Sequence, residues 1–187
     1  MSAEQQTKAS EVSVREPNAP WLKNYGDIPF HLEYFKGSMW GKVEQIIAQY
    51  PDYIAYDFMG KHTSYRKFGR DVELCARALK AIGVRPGDRI TICMPNCPQT
   101  VVIFYAVNVV GAIANMVHPL SSENEIEFFL KESGSICAIT LDQFYHKFEA
   151  IRQNVELSNV ILASIKDELS QPIKAGYMLT EGRKIQK

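Results

Sequence analysis

Residues 85–162 alternate between short apolar runs of strand type and longer segments of helix type. The predicted strands cover 89–94, 112–117, 136–140 and 159–162. The predicted helices between them cover 97–110, 122–132 and 144–154. Strands that are separated by helices pair in parallel through right-handed crossovers. We therefore predict an α/β fold with an open, mostly parallel sheet flanked by helices, in which ligands would bind beyond the carboxyl ends of the strands.

Two helices and a hairpin are predicted before this alternation. Apolar residues recur at helical spacing from Val43 to Tyr50, and Ser38 is a suitable N-cap for that helix. Residues 53–64 contain two extended runs around a turn at Gly60, which predicts a small hairpin. A long amphipathic helix over 65–82 follows, and its apolar stripe carries Cys75, which we expect in the core.

Composition divides the chain into four stretches. Residues 1–20 are polar and are predicted to form a mobile N-terminal arm. Residues 21–37 are rich in aromatic side chains and are expected to pack onto another body. Residues 38–164 form the predicted α/β subdomain. Residues 165–187 show no apolar face long enough to close a domain, so we interpret them as the incomplete tail of a truncated domain.

The charge balance limits the classes of partner. The chain has 21 Lys and Arg against 21 Asp and Glu, whereas nucleic-acid binders need an excess of cations. We therefore expect no nucleic-acid partner.

The longest apolar stretch, 101–114, is interrupted by Asn108 and Gly111 and is shorter than a membrane span, so no transmembrane segment is predicted. The absence of a signal segment and of a CxxC pair favours a cytoplasmic location.

Three residues are candidates for contact with a substrate. Asn96 precedes the apolar helix, where it could polarise a ligand or cap the helix. Cys97 at the start of that helix and His118 at the end of the next strand would lie on the ligand side of the sheet if the strands are neighbours. Such a pair could act as thiol nucleophile and base in a hydrolase. The alternative is an inert, half-buried thiol and a histidine bonded to a local carbonyl group.

Other nucleotide and metal signatures are weak. No GxG pair occurs, and residues 37–42 are similar to a Walker loop that is one residue too short, so a helix N-terminus is the alternative. No metal site is predicted, because the cysteines and histidines at the strand ends lack a paired-ligand spacing: Cys93, Cys97, His118 and Cys137. The other three histidines are expected to be solvated: His31, His62 and His146.

An ordered series of short motifs supports a family resemblance. Residues 63–68 carry a Thr-Ser-Tyr entry to the long helix, and 83–120 carry Gly-Val, Gly-Asp-Arg, Pro-Asn, Gly-Ala and His-Pro-Leu in that order. Residues 123–140 continue with a helix, a trailing Ser-Gly and a strand. The series resembles the N-terminal part of the AMP-forming acyl-CoA synthetases, which belong to the adenylate-forming superfamily. His118 departs from the family, in which an Asn is usual before Pro-Leu.

The resemblance implies the N-terminal subdomain of the adenylate-forming ligase fold and a two-step reaction. A carboxylate would attack the α-phosphate of ATP with the help of magnesium, and CoA would then displace AMP. The aromatic residues of 26–40 resemble the long-chain fatty acid CoA ligase branch most, so the substrates of the full-length enzyme would be fatty acid, ATP and CoA.

The family's phosphate loop, acidic nucleotide motif and adenylation lysine are absent from residues 1–187. We therefore expect a fragment without catalytic residues, inactive alone and without strongly bound cofactors, which could self-associate through the surface exposed by truncation. The alternative is a stand-alone, non-catalytic binding or regulatory module with a ligase-like fold.

Overall fold

The computed structural model describes residues 19–29 and 31–180. The chain divides into two compact units between Lys36 and Gly37. The predicted mobile arm lies almost entirely outside the described residues. The described part of the first unit contains a short 3-10 helix, Pro20–Asn24. Leu22 and Tyr25 are half-buried, and five other large apolar side chains are exposed to solvent: Trp21, Ile28, Leu32, Tyr34 and Phe35. The packing of the aromatic segment onto another body therefore stays a prediction.

The second unit contains the α/β fold. Its helices are α1 Met39–Gln49, α2 Tyr65–Ala81, α3 Pro98–Val110, α4 Glu123–Ser133, α5 Tyr145–Ala150 and α6 Gln171–Leu179. Its strands are β1 Ile54–Phe58, β2 Lys61–Ser64, β3 Arg89–Cys93, β4 Ile113–Met116, β5 Cys137–Leu141 and β6 Asn159–Ala163. Every predicted strand of the alternation is present within one or two residues of its expected bounds.

Two sheets form in this unit. The larger sheet has the order β4-β3-β5-β6, and its three pairings are all parallel. The smaller sheet is the antiparallel hairpin of β1 and β2. The predicted open parallel sheet with a small hairpin is thus confirmed, and the strands after which Cys97 and His118 follow are parallel neighbours.

Serine side chains begin three of the helices. The Oγ atoms of Ser38, Ser64 and Ser122 each accept a hydrogen bond from a backbone N–H in the first turn of α1, α2 and α4. In α4, Glu125 returns a bond to the backbone of Ser122 and completes a capping box. The Walker-like residues 37–42 therefore form the start of α1, as the helix N-terminus alternative predicted.

The core lies on both faces of the parallel sheet. On one face Ile90 and Ile92 of β3 pack with α2 and α3, and on the other Cys93 and Ala138 pack with Phe148 and α4. Alternating strand residues point to opposite faces, so a parallel sheet needs apolar side chains on both. Cys75 is half-buried at the edge of the first cluster. Within the described residues, no helix has the length and apolar content needed to cross a lipid bilayer.

One segment differs from the sequence prediction. The helix expected over 144–154 is shorter, because α5 ends at Ala150 and a 3-10 turn forms over Arg152–Asn154. The stretch interpreted as an incomplete tail contains a 3-10 turn and then α6, which has no buried side chain, Ser170 at its N-cap position and a proline in its first turn. Proline is favourable there, because the first helical N–H groups have no partner within the helix.

Candidate functional site

The candidate site lies where the strand order reverses. The chain passes from β3 outward to β4 and then returns to place β5 on the other side of β3. In open α/β sheets the loops at such a reversal diverge and leave a crevice at the carboxyl ends of the strands. Here those loops are residues 94–97 after β3 and the 3-10 turn Asp142–Phe144 after β5.

A polar cluster connects the strand ends on one side of this crevice. Gln99 Nε2 donates to the backbone oxygen of Ser164 at 2.9 Å, and Ser164 Oγ donates to Asp142 Oδ2 at 2.5 Å. Ser164 is buried, which strengthens the bond to the carboxylate. Gln99 Oε1 is a buried oxygen without a hydrogen-bond partner in the described part of the chain. The cluster therefore fixes α3 against the ends of β5 and β6.

The start of α3 differs from the expected arrangement. Cys97, and not Asn96, occupies the N-cap position, so the capping role considered for Asn96 is wrong, and its side chain is exposed in the preceding loop. Cys97 is buried, with its Sγ 3.2 Å from Thr100 Oγ1. Thr100 in turn donates to the carbonyl oxygen of Pro95 at 2.6 Å. The threonine hydroxyl thus closes the first turn, where an Asn side chain was expected to act.

His118 forms a local turn after β4. Its Nδ1 accepts a hydrogen bond from the N–H of Leu120 at 3.2 Å, and its ring is exposed. An Asn side chain at this position could accept the same N–H in an Asx turn, so the departure of His118 from the family preserves the local bond. Among the described residues no hydrogen bond joins His118 to the side chain of Cys97. Cys97 and His118 both follow the carboxyl ends of parallel strands. Cys97 contacts Thr100, whereas His118 is hydrogen-bonded to the backbone of Leu120.

Lys147 holds the loop after β4 in place. Its ammonium group donates to the backbone oxygens of Pro119 at 3.0 Å and Ser121 at 2.7 Å, and it lies 5.8 Å from the centroid of the Phe144 ring. The lysine comes from α5, so the position of this loop depends on a residue far away in the sequence. No local feature of the sequence marks Lys147, so its role could not be predicted.

Burial favours the neutral thiol form of Cys93 and Cys137. Burial raises the pKa of Cys93 to about 11 and that of Cys137 to about 11, and it also raises the pKa of Cys75. A thiol that keeps its proton is a poor nucleophile at neutral pH.

The other three histidines, His31, His62 and His146, are exposed as expected. His62 also contacts Asp57, with 2.8 Å between Nε2 and Oδ2.

The motif residues at the opposite end of the sheet support the scaffold. In the Gly-Asp-Arg motif, Asp88 accepts the N–H of Arg85 in a tight turn. Arg89 donates to the last carbonyl groups of α4, from Nε to Ser133 at 3.0 Å and from Nη2 to Gly134 at 2.9 Å. A cation at this position complements the negative end of the helix dipole.

A buried polar network continues from there under α4. Asn115 donates to Thr91 Oγ1 at 2.9 Å and to Ser133 Oγ at 3.1 Å, and Thr91 donates to Ser135 Oγ at 2.8 Å. Thr91 and Ser135 are buried, so this network satisfies polar groups that have no access to water. It fixes β4, β3 and the end of α4 relative to one another.

Two charged side chains at the crevice have partners within the fold. Asp142 is bonded to Ser164, and Lys147 is directed to two backbone carbonyl groups. No group of three or more His, Cys, Asp or Glu side chains that could hold a metal ion occurs among the described residues.

Comparison with known proteins identifies the family. The family model described as AMP-binding enzyme matches residues 43–181. The chain belongs to the AMP-binding enzyme family. The chain is 32% identical over 167 residues to a long-chain-fatty-acid–CoA ligase of Bacillus subtilis, covering 89% of the chain and 30% of that protein. It is 30% identical over 153 residues to the protein of the same name from Escherichia coli O6:H1, covering 80% and 27%. It spans about 30% of the length of these curated relatives.

Solved structures agree with the fold of the chain. The N-terminal domain of FACL13 from Mycobacterium tuberculosis matches it with a TM-score of 0.65 and 25% identity, over 68% of this chain and 34% of that one. A long-chain-fatty-acid-CoA ligase from Archaeoglobus fulgidus matches with a TM-score of 0.66 and 18% identity, over 71% and 28%. The predicted subdomain of the adenylate-forming ligase fold is thereby confirmed.

Proposed function

We propose that this chain is the N-terminal part of an AMP-forming long-chain fatty acid CoA ligase. In that reaction a fatty acid carboxylate attacks the α-phosphate of ATP, which gives acyl-AMP and pyrophosphate, and the CoA thiol then displaces AMP. The observation that carries the proposal is the family match over residues 43–181, together with two relatives of 30% identity or more that share the ligase name.

Within the full enzyme, the chain would provide one wall of the acyl and nucleotide site. A scaffolding role is supported by Arg89 of the Gly-Asp-Arg motif and by Asn115, because both make hydrogen bonds within the fold. The crevice between the loops after β3 and β5 presents the exposed Asn96, and His118 follows the neighbouring β4. These two exposed side chains are the proposed contacts with substrate, and the third candidate, Cys97, is buried at the N-cap of α3.

The chain alone would have no ligase activity. Transfer at the α-phosphate depends on positioned cations and donors around the phosphates. Among the described residues, no group of three or more His, Cys, Asp or Glu side chains could hold the metal ion, and the family's phosphate loop and adenylation lysine do not occur in residues 1–187. Fatty acid, ATP, CoA and magnesium are thus proposed for the full enzyme, and a cytoplasmic location is proposed with them.

An activity assay tests this part of the proposal. The purified chain is incubated with ATP, magnesium, CoA and a long-chain fatty acid, with the intact Bacillus subtilis ligase as the positive control. We expect no AMP above the level of a blank. AMP that depends on the fatty acid would show that this chain carries its own catalytic machinery.

A chimeric enzyme tests the scaffolding role. The segment of the Bacillus subtilis ligase that aligns with this chain is replaced by residues 37–180. We expect the folded chimera to form acyl-CoA, and the same chimera with Arg89→Ala to lose thermal stability while keeping the reaction. A folded, monodisperse chimera without any adenylation would contradict the proposal.

A further inference from the structure

The loop between β4 and α4 contains a tight turn that includes a histidine side chain. The loop covers residues 117–122. The N–H of Ser121 donates to the backbone oxygen of His118 at 3.1 Å, and the N–H of Leu120 donates to Nδ1 of the His118 ring at 3.2 Å. Pro119 has no N–H, so His118 accepts the first two donors that follow it in the turn. The ring is therefore part of the hydrogen bonding of the turn.

The bond from Leu120 fixes the neutral tautomer of His118. A neutral imidazole has one donor nitrogen and one acceptor nitrogen, whereas an imidazolium has two donors. Because Nδ1 accepts the N–H of Leu120, the proton of the neutral ring must be on Nε2. A second proton would place an N–H on Nδ1, directed at the N–H of Leu120. The imidazolium therefore cannot keep this bond.

The backbone of the loop is also held by contacts that do not involve the His118 ring. The ammonium group of Lys147 donates to the backbone oxygens of Pro119 and Ser121, and the N–H of Val117 donates to Ile92 of β3 at 3.0 Å. A lysine ammonium stays charged at the pH values at which histidines titrate. Protonation of His118 can thus release the ring while the backbone stays in place.

The other titratable side chains of the loop keep their charge over the same pH range. Among the described residues, those hydrogen-bonded to the loop from other elements are Cys93 of β3, Glu125 of α4 and Lys147 of α5. Burial raises the pKa of Cys93 to about 11, so its thiol stays neutral. Bonds from the backbone and hydroxyl groups of Ser122 lower the pKa of Glu125, so its carboxylate stays ionised. Of these groups and His118, only His118 changes charge between about pH 8 and pH 5.

We propose that His118 is a pH-sensitive side-chain switch in the loop between β4 and α4. The neutral ring is bound to the N–H of Leu120 and presents a single donor, Nε2–H, outside the turn. As the pH falls from about 8 to about 5, the ring takes up a proton and is released, while Lys147 holds the backbone. The switch depends on contacts within this chain and not on the proposed ligase function.

NMR spectroscopy of the full chain tests both states. At about pH 8, long-range ¹H–¹⁵N spectra should show the proton of His118 on Nε2 and none on Nδ1. Amide protection is the exchange rate of an unbonded amide divided by the measured rate at the same pH. The protection of the Leu120 N–H should fall about two- to tenfold between about pH 8 and pH 5, since a hydrogen bond of ordinary strength is lost. The protection of the Ser121 N–H should stay the same.

His118→Asn separates the bond from the titration. The side-chain oxygen of Asn can accept the same N–H but takes up no proton in this range, so the protection of Leu120 should stay constant with pH. His146→Asn is the matched control, because His146 is an exposed histidine of α5, and it should keep the pH dependence of the wild type. The ¹H–¹⁵N spectra of the backbone check that both variants fold.

Three results would overturn the proposal. The first is a neutral His118 ring with its proton on Nδ1. The second is a protection of the Leu120 N–H that does not change with pH in the wild type. The third is the same pH dependence of this protection in His118→Asn as in the wild type, because another group would then be responsible for it.

Discussion

The contact between Arg89 and the end of α4 predicts a large cost for Gly134→Ala. Gly134 has a φ of +58°, and a Cβ atom there would lie 2.8 Å from Nη2 of Arg89. An alanine in the left-handed region costs about 1–2 kcal/mol. The guanidinium group is the end of a flexible side chain, so it would move and lose its bonds to Ser133 and Gly134. Because Arg89 is exposed, we assign these bonds about 1–2 kcal/mol together.

Urea unfolding of a double-mutant cycle measures the two contributions separately. Gly134→Ala should cost about 2–4 kcal/mol in the wild-type chain but only about 1–2 kcal/mol in an Arg89→Ala background. Gly87→Ala is the matched control, because Gly87 has a φ of +84° and no atom within 4 Å of its would-be Cβ. It should cost the same in both backgrounds. Equal costs of Gly134→Ala in the two backgrounds, within about 0.5 kcal/mol, would refute the contact.

Three further predictions concern stability. Phe148→Ala should cost about 3–5 kcal/mol in urea unfolding because Phe148 is 1% exposed, whereas Phe128→Ala at 58% exposure should cost under about 1 kcal/mol; similar losses would contradict the core assignment. Met59→Asn should raise the thermal midpoint, because Met59 has a φ of +51°, which Asn adopts more easily; no gain would refute this strain. The free energy of unfolding should fall as the pH rises from 9 to 11. In the unfolded chain the thiols of Cys93 and Cys137 lose their protons near the ordinary cysteine pKa of 9.0, whereas in the folded chain they keep them to about 11. Cys93→Ala and Cys137→Ala should each make the free energy of unfolding depend less steeply on pH.

The sequence predicted the fold well because its apolar residues follow clear periods. The alternation over 85–162 located four strands, and Ser38 marked the start of α1 correctly. Short elements were harder to predict. The helix α6 spans nine residues without a buried side chain, and its proline and N-cap serine alone do not identify a helix. The spacing of apolar residues therefore predicts which segments form the sheet and the helices packed on it. The ends of short helices depend on contacts with distant residues, which this spacing does not show.

The candidate site was less predictable, because its contacts join distant elements. Asn96 and His118 could be placed at the carboxyl edge from the strand pattern. The bonds from Gln99 to Ser164 and from Lys147 to the loop after β4 span 65 and up to 28 residues, and they depend on the strand order β4-β3-β5-β6, which the sequence left open. Thr100 at the start of α3 was missed because Asn is the more usual cap.

The central claim is that this chain forms the N-terminal part of a fatty acid CoA ligase, and sequencing the source gene past codon 187 tests it most directly. The account predicts that the open frame continues into a Ser/Thr/Gly-rich loop that ends in Pro-Lys-Gly. A stop codon directly after Lys187 would contradict it and would favour a stand-alone binding module with a ligase-like fold.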